Sequence, residues 1–235
     1  MLKEALQYIV SAFTAETKEI SGQIYSTQPL QLVKQATPEP LKIRNLSGLV
    51  DYLKSDYDNQ PPVLIQVASP TEVNVYSTYN RDMQRDHILQ ATALLPKIPF
   101  EQFLDVENFN ILLQSCFVPN EHRSELLAII GNIKDENVAT FGDDGVSQQV
   151  TAKAGVATLA NVPVPNPVLL KPYRTFVDIH QPESQFVFRM QKGPTAALFE
   201  ADGGAWKLDA IHRISDYLTV QLHNQIENKQ VTIIA

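Results

Sequence analysis

The apolar positions in the first quarter of the chain follow the period of a helix. A first helix is predicted over about residues 2–15, where one face would collect Leu2, Leu6, Ile9 and Phe13. The segment LSGLVDYLKSDY, residues 46–57, predicts a second helix, which Asn45 or Ser47 would cap. Between the two, the prolines of TPEP, residues 37–40, would break any helix.

A strand-like alternation of apolar and polar residues follows in PPVLIQVASPTEVNVYST, residues 61–78. It predicts a β-hairpin with its turn at SPTE. Helical spacing returns between about residues 105 and 133, where Asp105 and Asn120 would cap two helices separated by Pro119. The first 135 residues are therefore predicted to be helix-rich, with one hairpin.

From Glu136 onward the alternation typical of strands dominates. NVATFGDDGVSQQVTAKAGV predicts a hairpin that closes at Asp143-Asp144-Gly145, and SQFVFRM and TAALFEADGGAW predict further strands. A helix from about Leu208 to Asn224 and a short apolar segment, VTIIA, complete the pattern. Helices come first and strands later, without a βαβ rhythm. The predicted fold class is therefore α+β, with a mainly antiparallel β part closed by a C-terminal helix.

The pattern divides the chain at about residue 135. Residues 1–135 are predicted to form a mixed helical region with one hairpin, and residues 136–235 an antiparallel sheet plus the C-terminal helix. One continuous domain is the alternative. The segment VPVPNPVLLKPYR, residues 162–174, holds four prolines. Its alternating valines and leucines favour an extended segment packed on the protein over a polar linker.

Composition and charge restrict the function classes. Residues 1–150 hold 11 Lys and Arg against 19 Asp and Glu, a net −8, whereas residues 151–235 hold 8 against 7, a net +1. Phosphate binding depends on Lys and Arg, so the acidic first part argues against general nucleic-acid binding. The nearly neutral second part leaves room for a local basic patch.

The single cysteine, Cys116, excludes an internal disulfide, and no apolar run approaches the length of a membrane span. The first residues, MLKEALQYIV, carry charges where a signal peptide has an unbroken apolar stretch. We therefore expect a cytoplasmic protein with no membrane partner.

Common cofactor motifs are missing from the sequence. Gly203-Gly204 is the only glycine pair, and neither GxxxxGK[ST] nor GxGxxG occurs. The five histidines are far apart, and one cysteine does not make a structural zinc site. No cofactor, no metal ligand set and no catalytic residue is predicted, and whether the chain is an enzyme stays open, with a binding protein favoured.

Several segments nevertheless resemble a known group of proteins. IGNIKDENVATFGDDGVSQQVTAKAGVA, VPNPVLLKPYRTF, QPESQFVFRM and GPTAALFEADGGAWK, together with LSGLVDYLK and SPTEVNVYS, are similar to an uncharacterised family carried by tailed bacteriophages and prophages of Gram-positive bacteria. The resemblance implies a phage gene product in the host-cell cytoplasm. The family has no assigned activity, so the resemblance implies no functional residues.

Two acidic turns are the candidate metal-binding feature: Asp143 with Asp144, and Glu200 with Asp202. Carboxylates that converge on a divalent metal are what a hydrolytic nuclease requires. Both groups also precede glycines, and Asp-Gly is a common sequence for a tight turn. The turn interpretation is the simpler one, and the metal site is kept as the alternative.

A basic and aromatic cluster is the candidate contact for single-stranded nucleic acid or a protein partner. It comprises five residues interleaved with Phe176 and Phe188: Lys171, Tyr173, Arg174, Arg189 and Lys192. Single strands bind to surfaces that combine stacking rings with positive charge. The alternative is a strand whose alternation sends Phe inward and Arg outward.

The favoured hypothesis is a non-enzymatic phage-encoded protein that acts by self-association and partner binding, with a role in phage DNA replication or recombination. A homo-oligomer is expected because VTIIA would form an exposed apolar strand edge unless it is paired. A metal-dependent nuclease or nucleotide-processing enzyme is one alternative. An inhibitor of a host defence system, which would bind a host protein, is another.

Overall fold

A computed structural model describes residues 2–20, 23–26, 37, 39–59, 61–80, 83–131, 141–143, 148–154, 158–164, 166–191, 193 and 195–235. The chain forms two compact units, Met1–Pro38 and Glu39–Ala235. None of the helices in these described ranges is both long enough and apolar enough to cross a membrane.

The described residues of the smaller unit form one helix and one antiparallel pair of strands. Helix α1 covers Leu2–Phe13, as the apolar period predicts, and strands β1 (Thr17–Ile20) and β2 (Gln23–Ser26) pair antiparallel. The apolar stripe of α1 is solvent-exposed at Leu6, Ile9 and Phe13.

The larger unit contains the remaining elements. In chain order they are β3 (Leu41–Ile43), α2 (Leu46–Ser55), β4 (Val63–Ser69), β5 (Glu72–Tyr79), β6 (Arg85–Thr92), β7 (Leu104–Asp105), α3 (Val106–Cys116), α4 (Glu121–Gly131), β8 (Phe141–Asp143), β9 (Gln148–Ala154), β10 (Thr158–Val164), β11 (Val168–Leu170), β12 (Ser184–Gln191), β13 (Thr195–Glu200), α5 (Trp206–Gln221), α6 (His223–Glu227) and β14 (Val231–Ile234).

A five-stranded sheet in the order β14-β4-β5-β6-β3 carries the first core. Strand β4 alternates buried and less buried positions, so one of its faces supplies Val63, Ile65 and Val67 to a common cluster. Helices α2 and α5 contribute their apolar faces to the same cluster. The predicted hairpin is β4 with β5, and the VTIIA segment is β14, which pairs parallel with β4.

A four-stranded sheet in the order β11-β12-β13-β7 packs with α3 and α4 around the second core. Phe186, Phe188 and Met190 point into this cluster from β12, as the alternation in SQFVFRM predicts. Both helices are capped as expected: the Asp105 carboxylate accepts the Asn108 N–H at 2.9 Å, and the Asn120 side-chain oxygen accepts the Arg123 N–H at 2.9 Å.

A third, three-stranded sheet runs in the order β10-β9-β8. Strands β8 and β9 pair antiparallel, with Asp143 opposite Gln148, which matches the hairpin predicted at this point. Of the predicted turn, Asp143-Asp144-Gly145, the last two residues lie outside the described residues.

The mixed α and β content is confirmed, but the prediction of a helix-rich N-terminal part is wrong. Helix α1 is short, and strands β3 and β6 join the predicted hairpin in one sheet. Strand β6 was missed because a bulge interrupts its alternation: Val75 aligns with Leu89, whereas Tyr76 aligns with His87. Strand β3 is three residues long, too short to show a period.

Both buried clusters combine residues from before and after residue 135. Phe109 of α3 lies with Phe188 of β12 in one cluster, and Leu49 of α2 lies with Ile214 of α5 in the other. The boundary predicted near residue 135 falls within residues 132–140, which lie outside the described residues.

Candidate functional site

A loop of residues 171–183, between β11 and β12, is held by one buried side chain. The Gln181 side-chain oxygen accepts the N–H of Arg174 at 3.0 Å and the N–H of Thr175 at 3.2 Å. Its amide nitrogen donates to the Phe176 carbonyl at 3.0 Å. A buried amide that bonds three backbone groups gives this loop a defined shape.

The first part of the loop contains a buried cation, Arg174, whose side chain is 6% exposed. Its Nη1 lies 2.8 Å from Glu200 Oε1, and its Nη2 donates to the Ser184 hydroxyl. The guanidinium also lies over the Trp206 ring, 3.9 Å from the centroid. We call Arg174, Ser184, Glu200 and Trp206 the Arg174 cluster.

Burial lowers the pKa of Arg174 to about 10, while the carboxylates of Glu200 and Asp202 act in the opposite direction. Arg174 therefore stays charged at neutral pH, and the nearby carboxylates and the indole ring compensate the loss of water around it. The contacts give Arg174 a role in stabilising the junction of loop, sheet and α5.

The second acidic turn is part of this same junction. The Asp202 carboxylate accepts the Gly204 N–H at 3.0 Å and the Trp206 N–H at 3.4 Å. Gly203 and Gly204 both have positive φ, at 63° and 82°, a conformation that glycine adopts without strain. The Asp-Gly-Gly segment thus forms the turn that leads from β13 into α5.

The structure brings together parts of both predicted sets, because Arg174 meets Glu200. Lys171 forms an exposed ion pair with Glu183 at 3.7 Å, and Arg189 Nη1 donates to the Phe188 carbonyl at 3.3 Å. The N–H of Tyr173 donates to the Cys116 carbonyl at 2.9 Å.

For three of the predicted site residues, the structure describes no side-chain contact. Asp143 ends strand β8, while Asp144 and Lys192 lie outside the described residues. Within the described part of the chain, no three His, Cys, Asp or Glu side chains lie together as metal ligands would.

The second part of the loop faces helix α5 across an open cleft of about 450 Å³. Four loop residues and three helix residues line it: Val177, Asp178, Ile179, His180, Arg213, Asp216 and Tyr217. We call this space the α5 cleft. Its volume lies within the range of small-molecule and side-chain binding sites in proteins.

Asp178 anchors the loop wall of the α5 cleft to helix α2. Its two carboxylate oxygens accept the N–H groups of Leu46 and Ser47, each at 3.0 Å. Asn45, the residue at the N-cap position, makes no capping bond with its own side chain. The α2 helix is therefore capped by a residue more than 130 positions away.

The two charged residues that α5 contributes to the cleft, Arg213 and Asp216, differ in whether they have an ion-pair partner. Arg213 Nε lies 2.9 Å from Asp209 Oδ1 in an ion pair one turn apart. Asp216 is exposed and has no hydrogen-bond or ion-pair partner among the described residues. Burial and the carboxylates of Asp178 and Asp51 raise the pKa of Tyr217. The cleft therefore combines an exposed carboxylate, Asp216, with the apolar side chain of Val177, which is 71% exposed.

Comparison with known proteins gave no match, either to a family model, to a curated protein or to a solved structure.

Sequence reasoning missed Asp178, Gln181 and Asp216. Asp178 and Gln181 accept hydrogen bonds from backbone N–H groups that no local sequence pattern connects with them. In the sequence, Asp216 resembles any polar residue on the exposed face of a helix. Trp206 had one available signal, because it is the single tryptophan and lies two residues after the Gly203-Gly204 pair.

Proposed function

We propose that this chain is a non-enzymatic protein that acts by self-association and by binding a protein partner. In this proposal the α5 cleft accepts a partner segment that carries a Lys or Arg beside an apolar residue. The observation that supports it is a preshaped loop wall opposite an unpaired carboxylate, Asp216.

Charge favours a cationic partner group in the cleft. The Asp178 carboxylate is bound to the N-terminus of α2 and Arg213 is paired with Asp209, so Asp216 keeps its charge available. The chain as a whole carries a formal charge of −7, which attracts a basic partner over longer distances.

The apolar half of the cleft favours a protein segment over a simple cation. Val177 is largely exposed although it directly follows three buried residues, Arg174, Thr175 and Phe176. Because Gln181 and Asp178 already hold this loop, binding there would cost little ordering entropy. Burial of an apolar side chain against Val177 and Tyr217 would add to the charge attraction.

The arrangement at the acidic turn supports binding over metal-dependent hydrolysis. Glu200 is paired with Arg174, and Asp202 holds the turn before α5, so both carboxylates already have structural partners. An inhibitor of a host defence protein is one particular form of a partner-binding protein. The phage origin, and a role in phage DNA replication or recombination, stay hypotheses based on the resemblance.

Three fluorescein-labelled peptides of equal length test the proposal: one alternating Lys and Leu, one alternating Glu and Leu, and one of Gly and Ser. Fluorescence anisotropy should show binding of the Lys-Leu peptide alone. Asp216→Asn should weaken that binding about tenfold, which corresponds to the loss of one charge-assisted contact.

The matched control is Glu125→Gln, which removes the same charge from an exposed position on helix α4. It should leave the affinity for the Lys-Leu peptide unchanged. Binding of the Glu-Leu peptide, or an equal effect of both variants, would contradict the proposed use of the cleft.

A further inference from the structure

We infer that two copies of the chain form a two-fold dimer in which strand β14 of one copy pairs antiparallel with β14 of the other. The inference rests on the self-association proposed above and assigns it to one edge of the five-stranded sheet. Among the described strands, β14 has a neighbour on one side only, β4.

The backbone geometry shows which groups face the open side. The Val63 N–H donates to the Gln230 carbonyl at 2.8 Å, and Val231 aligns with Val63. In a strand, the N–H and C=O groups of successive residues point to opposite sides. Thr232 and Ile234 therefore bond toward β4, while Val231 and Ile233 present their N–H and C=O groups outward.

The β14 edge also lacks the features that usually protect an exposed strand. Val231–Ile234 contains no charge, no proline and no bulge. At the opposite edge of the same sheet, β3 is preceded by Pro40 and contains Lys42. Charged residues and prolines on edge strands are what keep sheets from pairing with other chains.

The edges of the four-stranded sheet are protected as well. Strand β11 lies between Pro167 and Pro172, and β7 is two residues long and ends in Asp105. Of the described edges of these two sheets, β14 alone is uncharged, regular and free of flanking proline. Selection for solubility would disfavour such an edge unless it is covered.

A second copy is the occupant that suits this edge, because the strand is complementary to itself. A two-fold axis at Thr232 would place Val231 opposite Ile233 of the other copy, and their outward N–H and C=O groups would bond reciprocally. The paired residues are uncharged, so the contact brings no like charges together although each copy carries −7. Ile234, which is 47% exposed, would lose water at the contact.

Two substitutions at opposite edges of the sheet test the inference. Ile234→Lys places a charge on the β14 edge, and Leu41→Lys places the same charge on the β3 edge, where Leu41 is 48% exposed. Both reduce the net negative charge by one, so general repulsion between copies would weaken equally in the two variants. Multi-angle light scattering and sedimentation equilibrium would measure the dimer over a concentration series.

We expect the native chain and Leu41→Lys to dimerise alike, and Ile234→Lys to weaken the dimer at least tenfold. Ile233→Pro removes an outward N–H without removing a bond to β4, and it should weaken the dimer as well, whereas Ile233→Val should not. Circular dichroism and thermal melting check that each variant is folded, and Ile234→Lys serves as the test if Ile233→Pro unfolds.

The experiment distinguishes a failure of the β14 contact from a failure of the proposed self-association. A native dimer that survives both Ile234→Lys and Ile233→Pro would overturn the β14 contact and leave self-association in place. A native chain that stays monomeric at every concentration would overturn self-association itself, while peptide binding at the α5 cleft would be unaffected.

Discussion

The 171–183 loop contributes to two regions, the Arg174 cluster and the α5 cleft, in which charged residues have opposite environments. At the Arg174 cluster a buried cation is surrounded by a carboxylate, a hydroxyl and an indole ring. At the α5 cleft, Asp216 of helix α5 is exposed and has no partner among the described residues. The partners of a charge, more than its residue type, decide whether its polar groups are already bound within the fold or stay accessible to solvent.

The largest expected effect separates an ion pair whose cation is buried from one whose partners are both exposed. Glu200→Ala removes the partner of buried Arg174, and we expect a loss of about 2 kcal/mol in the free energy of unfolding, since a buried charge loses a bonded partner. Glu183→Ala, which breaks the exposed pair with Lys171, should cost less than about 0.5 kcal/mol. Urea denaturation of both variants measures the difference.

A substitution of Arg174 tests whether Glu200 stabilises the fold through this ion pair. Arg174→Met removes the buried charge together with its need for a partner, so in the Arg174→Met background Glu200→Ala should cost much less than in the native chain. Equal losses in the two backgrounds would show that Glu200 does not act through Arg174.

The next effect concerns the anchor of the cleft wall. Asp178→Ala should lower the free energy of unfolding by about 1 kcal/mol, because two N–H groups of helix α2 lose their acceptor. Asn45→Ala, at the N-cap position itself, should change it by only a few tenths of a kcal/mol, since Asn45 makes no capping bond. If Asn45→Ala proved the more damaging change, Asp178 would not be the cap.

A smaller effect is expected at alkaline pH from Tyr217. Because its folded pKa lies above the ordinary value of 10.0, the folded chain keeps the phenol proton where the unfolded chain loses it. This contribution to stability is complete below about pH 10 and is lost as the pH rises through the folded pKa. Tyr217→Phe should be less sensitive to alkali than the native chain in melts from pH 9 to pH 11, the range around the tyrosine pKa.

The sequence was sufficient for elements whose pattern is local. The alternation in SQFVFRM predicts the buried side of β12, and Asp105 and Asn120 cap their helices through side-chain bonds three residues away. The prediction that residues 162–174 pack on the protein agrees with the structure at Val168 and Leu170, which are buried in the second core.

The site depends on contacts between distant residues, and for that reason the sequence did not predict it. Asp178 caps a helix more than 130 positions earlier, and Arg174 meets Glu200 across two strands. A basic and aromatic run looks the same whether its arginine faces solvent or is enclosed beside a carboxylate. Only the folded chain shows that Arg174 is enclosed and that Val177, three residues later, is exposed.

The most direct test of partner binding uses two equally exposed valines. Val177 lines the α5 cleft, Val220 lies on α5 but does not line it, and each is 71% exposed. Val177→Ser and Val220→Ser should both change stability by less than about 0.5 kcal/mol. We predict that Val177→Ser weakens binding of the Lys-Leu peptide in the anisotropy titration and that Val220→Ser leaves it unchanged. Equal affinities of the two variants would contradict the α5 cleft as the partner-binding site.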